Sequence, residues 1–83
     1  MPRVRTASDI AGIIERFLNG KSRYPQEWND FVECGLADKS LDNYRKRCDF
    51  LDPLVNCPGP QDPRAIEELR QIVQELRKLS ASG

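Results

Sequence analysis

Apolar residues recur with helical periodicity in four segments of this chain, and each segment carries a readable start or stop. Ile10, Ile13, Ile14, Phe17 and Leu18 fall at the i, i+3, i+4, i+7 and i+8 positions that line one face of a helix. Thr6 or Ser8 can cap its start, with Thr6 and Asp9 at capping-box spacing, and Asn19-Gly20 supplies a left-handed stop. The pattern predicts a first helix over 7–18.

A second helix is expected over 25–34. Pro25 suits a first helical turn, Trp28, Phe31 and Val32 share a face, and Gly35 ends the segment. So short a helix is marginal alone and must be held by burying Trp28 and Phe31. The third helix is expected over 39–51. Asp38 or Ser40 caps it, Leu41, Tyr44, Cys48 and Leu51 form its inner stripe, and Pro53 stops it. A Pro- and Gly-rich loop centred on Pro58-Gly59-Pro60 follows.

Asp62-Pro63 opens a last helix over 63–79 as N-cap and first-turn proline. Ala65, Leu69, Ile72, Leu76 and Leu79 make one stripe, and Ile66 and Val73 widen it enough to face more than one neighbour. No segment alternates with the period of a strand. The expected fold is all-α, a compact single-layer bundle of four short helices in one domain spanning 1–83, with 1–6 and 80–83 frayed. The broad last stripe also permits a homodimer through a short helical seam.

Composition narrows the class. Hydrophobic residues at 39% and charged residues at 31% suit a globular domain rather than a disordered one. No apolar run approaches the roughly 18 residues of a membrane span, and Asp9, Glu15 and Arg16 interrupt what would be the apolar block of a signal peptide. A cytoplasmic location, with no membrane partner, is therefore expected. In a reducing cytosol Cys34, Cys48 and Cys57 stay thiols. Cys34 and Cys48 would pair only in an exported protein.

Catalysis is disfavoured by the absence of histidine, which removes the Ser-His and Cys-His dyads and a common zinc ligand. No phosphate-binding or nucleophile-elbow motif is present. The chain is expected not to be an enzyme and to hold neither metal nor cofactor.

Residues 28–47 are similar to a helix-turn-helix. Gly35-Leu36-Ala37 would form the turn, and Asn43, Arg45, Lys46 and Arg47 would lie on the exposed face of the second helix. The match departs at Phe31, where such motifs place a small residue. Its first helix is also acidic, which suits a phosphate backbone poorly.

Charge distribution points to another class. The formal net charge is zero, yet residues 1–23 sum to +3 and residues 24–38 to −4. Such an acidic surface on a small bundle steers basic partners. In size and charge the plan resembles that of small inhibitor, immunity and antitoxin proteins. The expectation is a protein–protein interaction module in which Glu27, Asp30, Glu33 and Asp38 dock an unidentified basic partner. Nucleic-acid binding is the alternative.

Overall fold

The computed structural model describes residues 4–82, which form four helices in the order α1 (Ala7–Leu18), α2 (Glu27–Glu33), α3 (Lys39–Val55) and α4 (Pro63–Ser82). The Cα radius of gyration is 12.0 Å, against about 12 Å for a folded domain of this length. No helix among the described residues is long and apolar enough to cross a membrane.

Thr6 caps α1 as its sequence spacing implies. Its hydroxyl accepts from the Asp9 N–H at 3.0 Å, and its own N–H donates to the Asp9 carboxylate at 3.0 Å. Gly20 closes the helix at φ +67°, a conformation that a side chain would strain. Asp38 caps α3, accepting from the N–H groups of Ser40 and Leu41.

Three boundaries differ from expectation. Pro25 lies outside α2, in a turn closed by the Glu27 N–H donating to the Tyr24 carbonyl at 3.1 Å. Proline's fixed φ serves the second position of such a turn as well as it serves a helix start. α3 does not stop at Pro53 but runs through it to Val55. The proline removes one donor and leaves the Asp49 carbonyl without its helical partner. Burial of Val55 and the Asn56 N–H donating to Asp52 O at 2.7 Å hold the extra turn. α4 extends to Ser82, so Ser80–Ser82 are helical where fraying was expected. Residues 1–3 and 83 lie outside the described residues. Replacing Pro53 by alanine restores the missing donor, and we expect it to stabilise the domain by about 1 kcal/mol, the helical gain exceeding the loss of chain stiffness. Thermal unfolding measures this, and destabilisation would mean that the ring itself packs productively.

α1 packs chiefly on α4, and α2 on α1 and α3, while α3 returns to α4. Ile10, Ile14, Phe31, Leu69, Ile72 and Leu76 are fully buried at the centre. Trp28 joins α2 to both neighbours. Its ring stacks on Phe17 at 4.2 Å and meets Phe31 edge-on at 5.9 Å, and its indole N–H donates to Asp52 at 2.6 Å. Leu79, expected on the inner stripe, is 47% exposed. Cys48 is buried, and desolvation pushes its thiol up to about 12, which makes it an inert apolar group. All three cysteines are free.

Candidate functional site

α2 and α3 form a hairpin that carries every site residue expected from the sequence. Trp28 at the start of α2 reaches Asp52 near the end of α3, and the Leu36 N–H beyond α2 donates to Asp42 near the start of α3 at 2.9 Å. Contacts at both ends place the two segments along one another in opposite directions.

The four acidic candidates separate into two kinds. Glu27 is buried at 4% exposure, and its carboxylate accepts from Arg16 Nε at 3.0 Å, from Arg16 Nη2 at 3.1 Å and from the Arg23 N–H at 3.3 Å. The bidentate Arg16 contact, with help from the Arg23 amide, outweighs burial and holds its carboxyl below the ordinary value. Glu27 is therefore a structural strut between α1 and α2 and is not on a docking face. Asp38 is engaged as the cap of α3. Asp30 and Glu33 do reach the surface, half-buried and exposed respectively.

The basic candidates are largely occupied by internal partners. Arg45 Nη1 donates to Val32 O at 2.6 Å, satisfying a carbonyl at the end of α2, and its Nε donates to Asp42 at 2.6 Å. That hydrogen bond and a second from the Leu36 amide hold the Asp42 carboxyl below its ordinary value. Lys46 pairs with Asp42 at 3.8 Å, and Arg47 lies between Glu68 and Glu75 at 4.0 and 3.4 Å, with its guanidinium over the Tyr44 ring. Asn43 is exposed. Arg45 is thus a corner brace rather than part of a free basic face.

A feature outside the sequence expectation stands on the outer side of α3. Phe50 is 80% exposed, and Leu54, one turn further along the same face, is 41% exposed. Asp49 beside Phe50 is exposed as well. Among the described residues no ion pair engages Asp30, Glu33 or Asp49. The hairpin therefore presents an apolar knob, Phe50, in a shallow surface pocket with Lys46, Arg47, Leu51 and Glu68, and at separate positions three carboxylates outside any ion pair, of which Asp49 lies within electrostatic reach of Arg45.

No protein-family model, curated protein or solved structure matches this chain.

Proposed function

We propose that this domain acts by protein–protein interaction, docking a basic partner onto the outer face of the α2–α3 hairpin. Phe50 is the observation that carries the reading. A phenylalanine exposed at 80% leaves most of an aromatic ring in water, where burial in a partner's socket contributes about 1.5–3 kcal/mol. Aromatic anchors of this kind dominate binding energy when a rim excludes water around them. Asp30, Glu33 and Asp49, elsewhere on the hairpin and outside any ion pair, add a longer-range attraction for lysine and arginine and disfavour acidic competitors.

Capture from native lysate tests it, using tagged wild-type chain, the Phe50→Ser variant and the Asp30→Lys/Glu33→Lys double variant, each with nuclease treatment. A basic protein retained by the wild type should be lost with both variants. Neither should change folding stability by more than about 0.5 kcal/mol, since these are exposed or half-exposed groups without ion pairs. Equal capture by all three chains contradicts the reading. A wild-type dimer that Phe50→Ser converts to monomer would assign the face to a second copy instead.

A further inference from the structure

Apart from the Phe50 face, four arginines from separate parts of the chain line one open cleft of about 390 Å³. Arg5 comes from the segment before α1, Arg16 from α1, Arg23 from the turn before α2 and Arg77 from α4. The volume lies in the range of roughly 300–1,000 Å³ typical of small-ligand pockets. Only two carboxylates, Asp9 and Glu27, share the lining. Both are engaged: Asp9 accepts from the Thr6 N–H, and Glu27 is gripped by Arg16. Four guanidinium groups against Asp9, Glu27 and Glu15, the counter-charge of Arg77, leave a surplus of one positive charge, which rises to two when Arg77 releases Glu15.

The donors in this cleft are incompletely used. Arg5 Nε is buried and has no hydrogen-bond partner, a state that is unfavourable for a polar group and more so for a charged one. Arg16 spends Nε and Nη2 on Glu27, while its Nη1 folds back over Gly12, only 3.0 Å from where a side-chain carbon there would stand. Glu27 thereby holds Arg16 in place without consuming its whole fork. Arg77 is tied to Glu15 at 2.8 and 3.0 Å and to the Ser8 hydroxyl at 3.4 Å. The Glu15 pair is exposed on both sides, and water screens such pairs strongly, so Arg77 can exchange it for a stronger anion.

We propose that this cleft binds a small dianionic ligand of the phosphomonoester class, held by Arg5, Arg23 and Arg77 around the fixed Arg16–Glu27 pair. The surplus charge matches a dianion better than a single carboxylate, and arginine forks fit phosphate oxygens two at a time. Tyr24 at the cleft edge borders the space left for the ligand's organic part. The site is separate from the Phe50 face and stands independently of the docking proposal.

Titration of the ¹⁵N-labelled full chain with inorganic phosphate and with phenyl phosphate, at ionic strength held constant by sodium chloride, tests the proposal through the arginine Nε–H signals. Saturable movement of the Arg5, Arg23 and Arg77 signals is expected, with a melting temperature that climbs with phosphate concentration and no comparable response to acetate. Arg5→Gln and Arg23→Gln should each weaken binding about tenfold or more, Arg47→Gln should leave it unchanged, and Glu15→Gln should strengthen it by freeing Arg77. Arg23 is exposed, and its guanidinium adds only electrostatic attraction to Asp9 and Glu27 beside the hydrogen bond from its backbone N–H, so its variant remains decisive even if Arg5→Gln does not fold. Shifts that fail to saturate, that acetate reproduces, or that survive Arg23→Gln overturn the proposal. So does binding to phosphatidic acid vesicles without binding to soluble phosphate, which would make the cleft a lipid headgroup site.

Discussion

Truncating Trp28 to alanine is expected to cost about 3–5 kcal/mol, the combined price of lost burial and the cavity left behind. The site offers little means of collapse. Phe17 stacks on one face of the indole and Phe31 abuts it edge-on, so removing the ring strands both phenylalanines and leaves the Asp52 carboxylate without its 2.6 Å donor. A domain of this length has a total stability of only about 4–12 kcal/mol, so the variant should be largely unfolded or close to it at 37 °C. Urea denaturation followed by circular dichroism measures the change. Trp28→Phe, which keeps an aromatic ring but loses the indole donor, should lie well between wild type and alanine. A loss below about 1 kcal/mol for the alanine variant would mean that Trp28 is peripheral to the core, against the energetics of buried aromatics.

Glu27→Ala should be the next most damaging change. It removes the partner of Arg16, leaves the Arg23 N–H without its acceptor, and breaks the only ion pair among the described residues that joins α1 to α2. Deleting one partner of a buried pair costs about 3–5 kcal/mol. Arg16 retains 27% side-chain exposure, which lets water solvate the orphaned guanidinium and lowers the expectation to about 2–3 kcal/mol. The pair also sets an acid limit. Glu27, Asp9 and Asp42 all have carboxyls held below their ordinary values, each chiefly by a hydrogen bond to the ionised form. A carboxylate with a depressed folded-state pKa contributes stability that is fully present above its unfolded value, near pH 4, and is lost as pH falls through the folded value. Stability should therefore be flat from pH 7 to about 5 and decline below about pH 4. In Glu27→Gln that decline should be shallower. An unchanged slope in that variant would mean that the Arg16–Glu27 pair makes no net contribution.

The periodicity of apolar residues made the architecture legible, because α1 and α4 owe their length and position to long stripes that few alternatives satisfy. The Thr6–Asp9 capping box and the Gly20 stop were readable for the same local reason. Pro53 misled because a proline near a helix end costs one hydrogen bond, and burying Val55 offset that cost. Glu27 misled more seriously. It sits four residues before Phe31, hence on the buried side of α2, and a carboxylate at such a position signals a hidden cation rather than a docking surface. Its partner Arg16 lies eleven residues away across a turn, beyond what sequence spacing can pair. Arg45 was opaque likewise, since a surface cation and a brace for the Val32 carbonyl have the same sequence. Phe50 was visible in principle, as an aromatic lying off the inner stripe of Leu41, Tyr44, Cys48 and Leu51. The arginine cleft was not, because its four side chains are gathered from residues 5 to 77 by tertiary packing alone.

Amide spectra of the labelled chain with and without its captured basic partner would locate the contact surface. The largest shifts should cluster at residues 29–33 and 46–54, centred on Phe50, with the backbone around Arg5 and Arg77 undisturbed. A footprint confined to α4 or to the arginine cleft, with the Phe50 amide unmoved, would contradict docking through the Phe50 face.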